Sequence, residues 1–256
     1  MPSLADRTVL ITGVSRAGGI GAALAQRFAA EGARLFLTGW AGHDAGQPYG
    51  EDPQGGEGVA RELGAPFLSV DLADPEAPRR IFEAANAAVG QVDVLVANHA
   101  RSARQTLSEL TAEELDLSFA VNARATLLLA REFAAQHDRP SGGRIVLFTS
   151  GQYHGAMPEE LPYVASKAAV QQLTGTLAVE LAPRGITVNS VNPGPNDTGY
   201  ATGELRRRVE EAMPGGRWGR PVDIANLVVW LAADEAEWVT GQTIASDGGW
   251  SARGAS

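Results

Sequence analysis

The 256-residue chain carries 21 Lys and Arg against 30 Asp and Glu, a formal net charge of −9, so it lacks the basic field that nucleic acid or an anionic membrane demands. Apolar residues make up 44% of it, the level of a globular chain long enough to bury one large α/β core, and not of a disordered one. With no cysteine there are no disulfides, thiolate nucleophiles or cysteine metal sites, which fits a reducing, cytoplasmic setting.

The first eight residues show no secretory pattern, and no apolar run approaches the roughly 20 residues of a membrane span. Strands are predicted at Thr8–Thr12, Ala33–Thr38, Pro66–Val70, Val92–Ala97, Arg144–Thr149, Thr187–Val191 and Gln242–Ser246. Most are apolar without alternation, as parallel strands covered on both faces are. Between them, helices are predicted near Gly21–Glu31, Pro75–Val89, Thr111–Gln136, Tyr163–Ala182 and Pro221–Ala232. Pro75 and Pro221 stand at first-turn positions, and Thr111 with Glu114 makes a capping-box pattern. This alternation implies right-handed βαβ units, hence a doubly wound parallel sheet of about seven strands in a single domain. Two stretches break the rhythm: Gly39–Gly58, rich in glycine and polar, and Pro193–Gly219, a long connection expected near the substrate. Arg206, Arg207 and Arg208 read as a solvated helix face.

The first strand runs into Thr12-Gly13-Val14-Ser15-Arg16-Ala17-Gly18-Gly19-Ile20-Gly21 and then a small-residue helix. Glycines let backbone approach a pyrophosphate and let helix pack on strand, while the helix N-terminus offers N–H groups and a positive dipole end. After the first strand of a βαβ chain, this loop predicts a dinucleotide site.

Tyr163-Val164-Ala165-Ser166-Lys167 places a phenol and an ammonium one helical turn apart on one face. A free tyrosine titrates near about 10, and a neighbouring cation favours its phenolate, making it usable as an acid–base at neutral pH. Lys167 is also the only lysine beside twenty arginines, as expected where a compact, rotatable ammonium is required. The four histidines are scattered, and no metal cluster is apparent.

With these motifs the chain resembles the short-chain dehydrogenase/reductase family from Thr8 to about Gly249, which implies a Rossmann-type sheet. Its glycine loop is two residues longer than the usual family pattern, a feature shared with enoyl-thioester reductases of the same superfamily. The resemblance implies Asp71 and Leu72 against the adenine, Asn98 in the turn after the fourth strand, Pro193 and Gly194 after the sixth, and Thr198 at the nicotinamide carboxamide. It also implies Ser150, thirteen residues before Tyr163, as the group that holds the carbonyl oxygen, and Asn122 as the fourth catalytic position, supporting a water-linked proton path to Lys167. Gly13, Ser15, Arg16, Gly19, Ile20 and Gly21 complete the cofactor set, with Tyr163 and Lys167 also facing it. His99 reads as a packed residue and Tyr153 as a pocket wall.

An acid at the end of the second strand would bind a ribose 2′-OH and repel a 2′-phosphate. Thr38-Gly39-Trp40 supplies none and Arg16 is available to pair with a phosphate, so NADP is favoured over NAD, although Asp44 is close in sequence. The expected reaction is hydride transfer between the cofactor and a small-molecule ketone or secondary alcohol. Overall resemblance is strongest to 3-oxoacyl-carrier-protein reductases, for which Arg101, Arg104 and Arg124 would offer a basic docking patch to an acyl carrier protein. A homo-oligomer, as a tetramer, is implied, with Ala165, Ala168 and Ala169 offering small residues for close helix approach. Two rival readings stay open. One is an enoyl-thioester reductase, whose tyrosine and lysine lie more than one turn apart; the other is a non-catalytic NADP-binding sensor or scaffold.

Overall fold

The computed structural model describes residues 4–47, 50–199, 201 and 203–253. Strands β1 (Thr8–Ile11), β2 (Arg34–Gly39), β3 (Phe67–Ser69), β4 (Val94–Ala97), β5 (Gly143–Phe148), β6 (Ile186–Asn192) and β7 (Thr243–Ala245) form one sheet in the order β3-β2-β1-β4-β5-β6-β7. Every pairing is parallel, and Ile11 stands opposite Leu37 on one side and Val96 on the other, so the carboxyl ends of the central strands lie level.

Alternate residues of each central strand feed opposite cores, which is why those strands lack an apolar–polar alternation. Val9, Ile11, Val94 and Val96 pack with Leu24 and Phe28 of α1 (Ile20–Ala30) and with Ile224 and Val228 of α9 (Pro221–Ala232). Leu10, Leu95, Ile145 and Leu147 pack with Ile81 and Phe82 of α4 (Ala77–Val89), Leu129 and Phe133 of α6 (Ala125–Gln136), and Val170 of α7 (Leu161–Leu181). Each fully buried side chain of this kind contributes about 1.5–3 kcal/mol. Among the described residues no helix is long and apolar enough to cross a membrane.

The helix expected over Thr111–Gln136 runs unbroken from Ala112 to Gln136 but is not α-helical throughout. It divides into α5 (Ala112–Phe119), a π-helical turn over Ala120–Arg124, and α6. The capping box at its start is half made: the Thr111 hydroxyl accepts from the Glu114 N–H at 3.2 Å, but the Glu114 carboxylate turns away to Arg101. Pro75 likewise precedes its helix, which begins at Ala77 with Pro78 in the first turn.

Both interruptions contain helices that the sequence does not announce. The first holds α2 (Gly42–Ala45) and the start of α3 (Gly55–Leu63), and the second holds α8 (Gly203–Ala212). None of the side chains of α8 is buried. Arg206 and Arg207 face Glu210 and Glu204 in i,i+4 and i,i+3 pairs, and Arg208 faces Glu204, the solvated face expected. The second stretch closes at its base, where Asp197 donates its N–H to the Gly219 carbonyl at 2.8 Å.

Candidate active site

The strand order reverses between β1 and β4, and there the carboxyl ends of a doubly wound sheet open a crevice. Gly13 leaves β1 with φ +73°, and a Cβ on it would stand 2.6 Å from the His99 Cα. A Cβ on Gly21 would stand 2.5 Å from the Gly13 carbonyl oxygen, so only glycine lets α1 sit this close to the loop. Asn98 donates its Nδ2 to the Thr12 and Gly13 carbonyls, both at 3.1 Å, and pins the loop to β4. Gly19 caps α1 in an extended conformation without a side-chain partner, leaving the first-turn N–H groups for an anion.

The resulting cleft, about 310 Å3, is lined by Gly13, Ser15, Arg16, Gly19, Ile20, Gly21, Asp71, Leu72, Asn98 and Thr198. These ten belong to the cofactor set read from the sequence; the lining also includes Thr38, Gly39, Trp40, His43, Asp44 and Arg101, which are not in that set. Four other residues of that set, Tyr163, Lys167, Pro193 and Gly194, lie outside that lining; the last two stand just past β6, where Asn192 Oδ1 accepts the Gly194 N–H at 3.1 Å.

The catalytic candidates come from three elements. On α7, Lys167 is 2% exposed and its Nζ donates to the Phe148 carbonyl at the end of β5 at 2.9 Å. That uses one of three ammonium protons. Nζ lies 5.9 Å from the centroid of the Tyr163 ring, and burial pushes the lysine pKa down to about 8. Ser150 follows β5 in extended conformation and precedes a 3-10 turn over Gly151–Tyr153. Asn122 sits in the π-helical turn, whose extra residue lets its amide bracket the Arg101 backbone. Its Oδ1 accepts the Arg101 N–H at 2.7 Å, and its Nδ2 donates to the Arg101 carbonyl and to Ser166 Oγ, each at 2.9 Å. Ser166 Oγ donates onward to the Tyr163 carbonyl at 2.8 Å.

His99 is packed, as its sequence position suggested. Its Nε2 faces the Val121 carbonyl at 3.0 Å and its Nδ1 faces the Thr12 hydroxyl at 2.7 Å, which assigns the neutral ring with the proton on Nε2. Burial, with the Lys167 ammonium second, pushes its pKa down to about 3. Tyr153 is part exposed and accepts weakly from Asn192 Nδ2 at 3.4 Å, and burial raises its pKa.

The structure adds residues that the sequence reading passed over. Gly39–Gly58 folds back on the glycine loop: Asp52 accepts the Ala17 N–H at 2.8 Å, a bond that leads the causes lowering its pKa. The same stretch brings Asp44 into the cleft, 6% exposed, with Oδ2 making no hydrogen bond in the structure. His43 beside it accepts from Arg101 at 3.3 Å through Nδ1, while Nε2 is buried without a partner. Arg101 is held by a two-pronged pair with Glu114 at 2.7 Å per bond. Arg104 pairs with Glu159, and Arg124 donates to the Ala73 carbonyl, so the three arginines are not a cluster of uncommitted cations. Asp44, the acid already noted as close to the second strand in sequence, lies five residues beyond the strand end, and the turn of α2 carries it back to the cleft.

A family model described as Enoyl-(Acyl carrier protein) reductase matches residues 13–251. The chain is 40% identical to the Bacillus subtilis protein named uncharacterized oxidoreductase YjdA, over 95% of this chain and 96% of that one. It is 35% identical to the Escherichia coli cyclic-di-GMP-binding biofilm dispersal mediator protein, over 98% of this chain and 100% of that one. Among solved structures, a blue fluorescent protein from a metagenomic library in complex with NADPH aligns with a TM-score of 0.84 at 32% identity, covering 97% of this chain and 99% of that one.

Proposed function

Because the chain belongs to the short-chain dehydrogenase/reductase family, whose members are NAD(P)-dependent oxidoreductases, we propose that it interconverts a ketone or aldehyde and the corresponding alcohol with NADP(H). The observation that carries this reading is the fixing of Lys167, one helical turn from Tyr163, against the end of the strand that leads to Ser150. The cleft fits a dinucleotide: it has a glycine cradle that a Cβ would fill and an uncapped helix N-terminus for the pyrophosphate. When bound, the nicotinamide supplies or accepts the hydride.

The protein's own groups do the rest. Ser150 Oγ holds the substrate oxygen and stabilises the charge that develops on it. The Tyr163 hydroxyl gives that oxygen its proton in reduction and removes it in oxidation. Lys167, with two ammonium protons beyond the one on Phe148, holds ribose hydroxyls and favours the Tyr163 phenolate. Asn122 ties the π-helical turn to Ser166 and so to the Tyr163 end of α7. Arg16 meets the 2′-phosphate. In this reading the protein is a cytoplasmic homo-oligomer.

A second reading of the cofactor, NAD(H), is favoured by Asp44, whose buried carboxylate would accept a ribose 2′-OH and repel a 2′-phosphate. For the substrate, enoyl reduction is favoured by the description of the matching family model, and carbonyl reduction by the four-residue Tyr163–Lys167 interval. The 3-oxoacyl thioester class remains within the carbonyl reading, but paired Arg101 and Arg104 give little support to carrier-protein docking. A panel of ketones, aldehydes, sugars, a 3-oxoacyl thioester and a 2-enoyl thioester, each with NADPH and NADH, tests all three choices. Reduction of the enoyl thioester alone would overturn the carbonyl reading. Absence of dinucleotide binding would overturn the enzyme reading itself.

A further inference from the structure

Ser150 must present its hydroxyl to the same substrate oxygen as Tyr163, yet the two residues come from different elements. The last ladder bond before it is the Thr149 N–H to the Val191 carbonyl at 3.0 Å, so the Ser150 N–H lies beyond the sheet. It donates instead to the side chain of Gln152, to Oε1 at 3.1 Å. Gln152 Nε2 in turn donates to the Thr149 hydroxyl at 3.0 Å and to Gln171 Oε1 at 3.1 Å. Both amide protons and a carbonyl lone pair are thus engaged. The orientation of the amide is fixed, because the Ser150 N–H has to meet an oxygen.

Gln171 is not an arbitrary anchor. It follows Lys167 by four residues and Tyr163 by eight on α7, so the three occupy one stripe of that helix. Gln152 therefore spans from the peptide that carries Ser150 to the helix face that carries Tyr163 and Lys167. Two further contacts support the same seam: Lys167 Nζ to the Phe148 carbonyl at 2.9 Å, and the Thr149 hydroxyl to the Lys167 carbonyl at 3.4 Å. Gln152 is the only member of the seam that holds Ser150 itself.

We infer that Gln152 is a positioning residue, which sets where Ser150 stands relative to Tyr163 through Gln171. The inference rests on the reading that Ser150 and Tyr163 act on one oxygen. A displacement of about 1 Å between groups that must act together costs on the order of a hundredfold in rate, whereas none of the three Gln152 bonds touches the glycine loop that would cradle the cofactor's phosphates.

The test compares Gln152→Leu, which keeps the shape and removes all three bonds, with Gln152→Glu, which keeps an oxygen for the Ser150 N–H. Amide hydrogen exchange read by NMR should show the Ser150 N–H exchanging at least about tenfold faster in Gln152→Leu, with the Thr149 N–H unchanged. With ethyl acetoacetate as the ketone probe, kcat should fall about ten- to hundredfold while dinucleotide affinity and melting temperature hold, and Gln152→Glu should recover most of both effects. Gln171→Leu should lower kcat too, and adding it to Gln152→Leu should cost little more, since the two form one bracket. Unchanged Ser150 exchange, kcat within twofold of the parent, or full additivity of the two Leu variants would each overturn the inference. Tyr163→Phe, run alongside, separates the failures. If it abolishes turnover while Gln152→Leu does not, the site reading stands and the role of Gln152 falls; if Tyr163→Phe is fully active, both fall.

Discussion

Tyr163 and a phenylalanine differ by one oxygen, so Tyr163→Phe keeps the packing of α7 and removes only the titrating group. Turnover should vanish while dinucleotide binding, followed by fluorescence titration, stays near the parental value; full turnover would hand the proton transfer to another residue. Lys167→Arg is the sharper substitution in a chain with twenty arginines. A planar fork in place of a 2%-exposed ammonium has no room between the Phe148 carbonyl, the phenol and the ribose. Turnover should drop by at least about a hundredfold, and near-parental activity would make the lone lysine an accident of composition. At the other end of the cleft, Arg16 and Asp44 pull in opposite directions. Arg16→Ala should weaken NADPH relative to NADH by about 1.5–3 kcal/mol, the scale of a charge-assisted bond. Asp44→Asn should strengthen NADPH and weaken NADH. Calorimetric titrations that show an unchanged NADPH-to-NADH ratio in both variants would remove both residues from cofactor choice.

At the scale of elements, the turn after β4 and the π-helical turn are joined by one neutral imidazole. His99 titrates at about 3 in the folded chain against an ordinary 6.5, so between those values the unfolded chain holds a proton that the folded one refuses. Its contribution is therefore fully present above pH 6.5 and is lost as pH falls toward 3, at up to about 1.4 kcal/mol per pH unit. Urea unfolding of the parent and of His99→Asn at pH 7.5 and about 5 should show the stability gap between them shrinking in acid; a gap independent of pH would mean that His99 is not held neutral. The same pair of elements marks where sequence reasoning stops. Strands such as Ile186–Asn192 are legible because every residue is buried, and Tyr163, Lys167 and the glycine loop because their spacing falls in the strand–helix context and family pattern that the chain resembles. Periodicity reads Thr111–Gln136 as one helix, since a single inserted residue barely disturbs an apolar pattern. Helix α8 buries nothing and so has no apolar period to find. The place of Asp44 in the cleft and of Gln152 beneath Ser150 is set by tertiary contacts, which no local pattern encodes.

At the scale of the whole molecule, α7 offers an outer face on which Ala168 and Val179 are exposed, Val179 at 79%, while Gly175 has open space beside it. Helices with small residues approach closely, and an isologous contact between two copies would cover this face. A homotetramer is expected. Sedimentation at micromolar concentration should show species well above the 26.8 kDa of one chain, and only that mass would contradict the expectation.

The burial of Lys167 has a spectroscopic consequence. Every other cation-forming side chain of the Lys and Arg class is a guanidinium, so protein grown on isotope-labelled lysine carries one side-chain ammonium signal, which reports from the end of β5 and, in the proposed function, from the reacting end of the site. Its titration midpoint should fall near 8 before cofactor is added, and the resonance should shift when a dinucleotide reaches the ribose position. Amine-directed dyes and cross-linkers, for the same reason, find no lysine on the folded surface. Any lysine labelling would report on opening of α7 away from β5, which turns an oddity of composition into a reporter of the enzyme's own motions.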